Sequence, residues 1–156
     1  ILKFVGRFEP AGYDDRLRGR ARELGVLDHL VLEGMLPWEE NFARTAAAHI
    51  GCVFYADNEN NRVTMPNRIF EYMLCGLAVL AHDFPELRRV VEGSRCGALV
   101  DSSDPRSIAR GALGLLDDPQ RLDAAGRNGQ DAVRRRYNFD AECDALIAFY
   151  ERILRG

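Results

Sequence analysis

The chain has 156 residues, 47% of them apolar and 29% charged, and a formal net charge of −3. That is long enough for one domain with a real core, and it lacks the basic field that nucleic acid or an anionic membrane surface calls for. No apolar run approaches the roughly 18 residues of a membrane-spanning helix, and no signal peptide is read at the start.

The apolar run Ile1–Val5 reads as a buried strand ending at Gly6. The abrupt opening on a strand suggests a piece of a larger protein. After a loop through Gly12, a helix is expected from about Tyr13 to Leu24, with Leu17, Ala21 and Leu24 on one face and Gly25 as its stop. A second strand spans His29 to Glu33. Pro37 opens a helix through about Ala48, with Trp38, Phe42 and Ala46 inward. Ile50 to Ala56 is a third strand, nearly all apolar, as in a parallel sheet covered on both faces. Asp57 to Arg62 is read as a polar loop.

The next stretch organises the rest. Thr64 to Gly76 reads as a loop, a short helix and a glycine stop, followed by the strand Leu77–Ala81. Thr64 suits the cap, Pro66 the first turn and Gly76 the left-handed position after the helix. Ile69, Phe70, Met73 and Leu74 form an apolar stripe, which leaves Asn67 and Glu71 together on another face. A helix N-terminus attracts phosphate, and Glu71 lies roughly 7 Å further along the axis. A carboxylate there suits the vicinal diol of a ribose. The same spacing also describes a core helix with a solvated glutamate.

His82–Pro85 is a turn into a helix from about Glu86 to Glu92. Asp83 reads as its cap or as a ligand contact, and His82 has no nucleophile–base set around it. Gly97–Val100 is a fifth strand. Three helices follow, opened by Asp104-Pro105, Asp118-Pro119 and Asn138, the last carrying Leu146, Tyr150 and Ile153. Five strands alternating with helices predict an α/β fold: a doubly wound parallel sheet with C-terminal helices. Ligands on such sheets sit beyond the carboxyl ends of the strands. There the loops 6–12, 34–37, 57–66 and 82–85 gather most of the polar and glycine residues.

Gly6-Arg7 could admit and neutralise a phosphate, and Met35-Leu36 could offer a wall to a planar base. No GxGxxG, P-loop, GxSxG or metalloprotease pattern occurs. Cys52, Cys75, Cys96 and Cys143 form no CxxC pair and no zinc spacing with His29, His49 or His82. No metal set or bound cofactor is expected. Cys52 and Cys75 read as small core residues, and the cysteines point to a reducing compartment.

Several segments, in order, resemble the C-terminal half of family 4 glycosyltransferases of the GT-B fold. They are Leu2–Gly6, Glu23–Gly34, Met65–Ala81 with its Pro66-Asn67-Arg68 and Phe70-Glu71-Tyr72, and Gly97–Val100 with Asp104-Pro105. The resemblance implies the Rossmann-like, nucleotide-sugar-binding half of a retaining, metal-independent transferase located in the cytoplasm or at the inner face of the membrane. It implies one donor-binding domain over 1–156, without the acceptor-binding N-terminal domain or the first strand and helix of the donor half. Glu71 would hold the ribose hydroxyls, and the backbone of Thr64, Met65, Pro66 and Asn67, beside Arg68, the diphosphate. Met35 and Leu36 would face the base, and Gly6 and Arg7 the phosphates. The partners would be a nucleoside diphosphate sugar and a sugar, lipid or polymer acceptor, with no nucleic acid. The last helix, bared, could promote self-association. Val63 stands where many members carry a second glutamate, and Arg68 where a lysine is usual. A non-catalytic GT-B-like interaction domain and a nucleotide-sugar epimerase are the alternatives, and no general base is identified.

Overall fold

Every strand expected from the apolar runs forms, and each pairs in parallel. The computed structural model describes residues 1–155. In chain order the elements are β1 (Leu2–Val5), α1 (Tyr13–Glu23), a 3-10 turn (Leu27–His29), β2 (Leu30–Glu33), α2 (Trp38–Ala46), β3 (Ile50–Val53), α3 (Glu59–Val63) and α4 (Asn67–Leu74). β4 (Ala78–His82), α5 (Pro85–Ser94), β5 (Gly97–Val100), α6 (Pro105–Leu116), α7 (Pro119–Arg135) and α8 (Phe139–Arg155) follow. The strands do not hydrogen-bond as one sheet: β1 pairs with β2, and β3-β4-β5 form a separate three-stranded sheet. Apolar runs specify that strands exist, whereas which edges meet is a non-local outcome that periodicity does not encode. The chain divides into two compact units, Ile1–Arg44 and the residues from Thr45 onward.

In the first unit Leu2 lies opposite Leu30 and Val5 opposite Glu33. α1 packs on β2 and buries Ala21. β1 is not the buried strand its composition suggests, since Leu2 and Phe4 are exposed. Likewise Trp38 stacks on Phe42, with ring centroids 5.3 Å apart, but stays largely exposed. A two-stranded ribbon has few neighbours to cover its side chains.

In the second unit β4 pairs on both edges, with Ile50 and Gly97 as the outer partners of Ala78 and Val79. Its residues alternate between two cores. Val79 and Ala81 join Val53, Ile69 and Met73 of α4, Leu87 and Val90 of α5 and Val133 of α7. Ala78 and Leu80 join Val100, Leu115 of α6 and Ala125 of α7. This sheet therefore has helices on both faces, which explains the unbroken apolar run. Ile69 and Met73 are completely buried, each contributing roughly 1.5–3 kcal/mol by transfer from water. Cys96 is the cysteine of this core, while Cys52 and Cys75 are half-buried; all four are free thiols.

α8 is capped by Asn138, whose Oδ1 accepts from the Ala141 amide at 2.9 Å. Leu146, Tyr150 and Ile153 along it are exposed. Among the described residues no helix is long and apolar enough to cross a membrane.

Candidate functional site

α4 is the element the second unit positions most firmly. Its inner stripe, Ile69 and Met73, fills the core, and Tyr72 lies on β3, where a Cβ on Gly51 would sit 2.2 Å from the ring. Along its flank runs α7. A Cβ on Gly126 would come within 2.1 Å of the Gly76 carbonyl oxygen, and one on Gly129 within 3.3 Å of Met73. Gly76, at φ 77°, turns the chain out of the helix as expected. Gln130 then donates from Nε2 to the Leu74 carbonyl at 3.2 Å. Leu74 itself is not in the buried stripe: it is exposed.

The other end of α4 is left open. Its N-cap residue is Pro66, and no side chain caps the first-turn amides. Thr64 is not the cap, because a five-residue helix, α3, occupies the stretch read as a loop. The Thr64 hydroxyl donates instead to the Asn60 carbonyl at 2.7 Å, satisfying α3. α3 forms because Asn58 caps it, its Oδ1 accepting from the Asn61 amide at 2.9 Å. Pro66 accordingly sits just before the helix rather than inside its first turn. Met65 packs against the core beside it.

Asn67, Arg68 and Glu71 are exposed, and none of the three makes a side-chain hydrogen bond or ion pair among the described residues. The helix thus presents unfilled amide donors at its positive end and, about one turn on, an unengaged carboxylate. The Tyr72 phenol behind them is pushed up from its ordinary value by burial.

The first unit holds the remaining candidates. Gly6 has φ 137°, a conformation that L side chains rarely adopt, and its amide donates to the carbonyls of Glu33 and Gly34 at 3.3 and 3.2 Å. Arg7 is exposed and lies 3.6 Å from Glu9. Met35 is exposed and Leu36 half-buried.

Asp83 does not cap α5. The N-cap there is Phe84, and Asp83 pairs with Arg88 one turn into the helix. His82 is buried, and its Nδ1 meets Ser102. Asp57 forms a two-point ion pair with Arg62, at 2.6 and 2.8 Å. That bond is the main reason its carboxyl lies below the ordinary range.

The architecture is a parallel α/β sheet with a solvent-open helix N-terminus at the carboxyl edge. Solved structures share the parallel α/β fold. Sucrose-phosphate synthase from Thermosynechococcus elongatus superposes with a TM-score of 0.76 at 22% identity, over 99% of this chain and 38% of that one. The C-terminal domain of a group 1 glycosyl transferase from Francisella tularensis superposes with a TM-score of 0.71 at 15% identity, over 88% of this chain and 85% of that one. The fold is the Rossmann-like α/β fold of GT-B glycosyltransferases. The family described as Glycosyl transferases group 1 matches residues 2–118, and the chain belongs to it. D-inositol 3-phosphate glycosyltransferase of Segniliparus rotundus is 37% identical over 156 residues, covering 99% of this chain and 33% of that protein. Phosphatidyl-myo-inositol mannosyltransferase of Mycolicibacterium smegmatis is 26% identical over 152 residues, covering 97% and 36%. The chain thus spans about a third of the length of the curated relatives it matches.

Sequence reasoning missed what holds α4 in place: Gly51, Gly126, Gly129 and Gln130. The spacing Gly126-x-x-Gly129 inside a helix was the available signal, since glycine there costs about 1 kcal/mol and calls for a packing reason.

Proposed function

We propose that this chain is the nucleotide-sugar donor half of a retaining, metal-independent glycosyltransferase that moves a sugar from a nucleoside diphosphate to an acceptor. The observation that carries the reading is the open N-terminus of α4 with the unengaged Glu71 one turn along it. The first-turn amides of Asn67 and Arg68 take the diphosphate, and Glu71 accepts from the two ribose hydroxyls. The positive helix end and the Arg68 guanidinium stabilise the leaving diphosphate, the task a divalent cation performs in other transferases. Thr64, Met65 and Pro66 shape the entry to that helix. In the first unit, Gly6 and Arg7 are proposed to approach phosphate and Met35 and Leu36 to face the base. The curated relatives named above act on inositol-containing acceptors by name; for this chain the acceptor class is sugar, lipid or polymer. Placement of the whole 1–156 segment in one donor-binding domain of a cytoplasmic enzyme belongs to the same proposal, as does self-association through the exposed face of α8.

A thermal-shift screen of UDP, GDP, ADP and CDP and their sugars on the full-length protein tests this. Ligand at about 100 times its dissociation constant adds ~2.7 kcal/mol of stability. One nucleotide standing out supports the donor site. A flat screen on well-folded protein favours the second reading, a non-catalytic interaction domain. That reading draws on Val63, 74% exposed and apolar, at the position where the family resemblance leads one to expect a carboxylate.

A further inference from the structure

Three strand ends of the second unit are tied together at the carboxyl edge of its sheet. His82 closes β4. Its Nδ1 lies 2.6 Å from the Ser102 hydroxyl and 3.1 Å from the Ser102 amide nitrogen, just beyond β5. The same hydroxyl lies 3.4 Å from the carbonyl of Tyr55, just beyond β3. An amide N–H only donates, so Nδ1 must accept, and the proton of the neutral ring sits on Nε2. Phe84 packs against the ring at a tilt of 43°, with 4.0 Å between centroids. Though His82 is only 8% exposed, its Nε2 has no protein partner among the described residues and is not among the fully buried atoms left unpaired.

Two carboxylates lie on the same strand-end segments, Asp57 two residues beyond Tyr55 and Asp101 next to Ser102. Asp57, after β3, is engaged by Arg62. Asp101, after β5, accepts from the Ser103 hydroxyl at 2.6 Å and the Ser103 amide at 2.9 Å. Those bonds hold both carboxyls below the ordinary range, so both are ionised acceptors at neutral pH. The cluster therefore offers one fixed N–H donor among anionic acceptors, with its one guanidinium already neutralised. That set repels phosphate and suits a neutral polyol, whose hydroxyls donate to carboxylates and accept from N–H. Topology places it correctly. The chain leaves the carboxyl end of β3, enters α4 at its open N-terminus and returns to start β4, so the helix entrance and the end of β4 share one edge.

We propose that His82, through Nε2–H, and Asp57 and Asp101, through their carboxylates, recognise hydroxyls of the transferred sugar. The proposal rests on the donor-site reading and adds to it the part of the site that distinguishes a nucleotide sugar from its bare nucleotide.

The test uses full-length protein and the pairs UDP/UDP-glucose, GDP/GDP-mannose, ADP/ADP-glucose and CDP/CDP-glucose, titrated by calorimetry. The Asn amide oxygen sits where Nδ1 does, so His82→Asn keeps the Ser102 contact and removes the Nε2 donor. The expected result is unchanged affinity for the bare nucleotide and an about tenfold loss for the sugar nucleotide, the scale of one hydrogen bond. His82→Gln, whose amide N–H reaches the Nε2 position, restores part of that loss. Asp101→Asn, at an exposed position that retains an acceptor for Ser103, reports on the same claim independently of the core and also loses sugar-nucleotide affinity selectively. Equal weakening of both members of the pair, or no change in either, overturns the inference while leaving the donor site standing. Wild-type protein that binds no member of the panel overturns the donor site and this inference together.

Discussion

Gln130 of α7 donates to the carbonyl of Leu74 at the end of α4, and one turn earlier on α7 the bare backbone of Gly126 lies against the carbonyl of Gly76. The C-terminal end of α4 is therefore satisfied and wedged, whereas its N-terminal amides have no side-chain partner.

Gly126→Ala tests the wedge. In an open helix the change adds about 1 kcal/mol of stability. Here the new methyl would stand 2.1 Å from a backbone oxygen, which cannot rotate away as a side chain could. Net destabilisation of about 1–3 kcal/mol is expected, the scale of overpacking. It is read as a fall in the urea midpoint at unchanged slope. A more stable variant would show that α7 and α4 do not approach this closely.

Glu71→Ala separates binding from folding. Glu71 is exposed and makes no side-chain hydrogen bond or ion pair among the described residues, so the melting temperature of the free protein should not move. Affinity for the preferred nucleoside diphosphate should fall by about 1–3 kcal/mol, the worth of hydrogen bonds to a charged group. Unchanged affinity in this variant rejects the ribose role.

The Asp57–Arg62 pair carries an acid-side signature. The Asp57 carboxyl is lowered chiefly by its bond to Arg62. A carboxyl with a depressed folded-state pKa adds stability above its unfolded value, about 3.9, and loses it as pH falls through the folded value. Arg62→Gln should move the Asp57 titration, followed by carboxyl-carbon NMR, back up toward the ordinary range. The pair is exposed, so the accompanying stability change is small. A titration that stays put would mean the pair does not persist in solution.

At the alkaline end the sign reverses. Burial pushes the Cys96 thiol up to about 11 and raises Cys52, Cys75 and Tyr72 as well. In the unfolded chain a thiol ionises near 8.5. For Cys96, stability is thus fully present below that value and is lost as pH rises toward about 11, at up to ~1.4 kcal/mol per pH unit. Cys96→Ala should lower stability at neutral pH by opening a cavity, yet flatten the alkaline slope measured by urea titration between pH 8.5 and 10.5. An unchanged slope would assign the loss to other groups.

Much of the second unit was legible because its signals are local. Asp104 and Asp118 each cap the helix that follows, accepting from the amides of Arg106 and Arg121 at 2.9 and 3.0 Å, and Gly76 ends α4 in the left-handed region. The run from Ala78 to His82 is buried throughout, as its composition implies. What escaped was relational. Thr64 looked like a cap for α4, but Asn58 nucleates a short helix first and spends Thr64 on its end. Asp83 has the chemistry of a cap, yet Arg88, one turn on, draws it into an ion pair. His82 gave no catalytic pattern in sequence because Ser102 and Tyr55, which define its environment, lie 20 and 47 residues from their partners. In the first unit, the exposed Leu2 and Phe4 show that an apolar strand is not a buried one when only one strand pairs with it.

The glycine seam between α7 and α4 has an electrostatic consequence. A dipole that must swing into line as charge develops gives back part of what it gains in reorganisation, whereas one already aimed does not. With its far end clasped and its flank filled, α4 has its direction settled during folding, before any anion arrives. On the proposed donor role, substitutions at Gly126, Gly129 or Gln130 would then behave in kinetics like changes to the reacting centre, although none of these residues lies at the helix entrance.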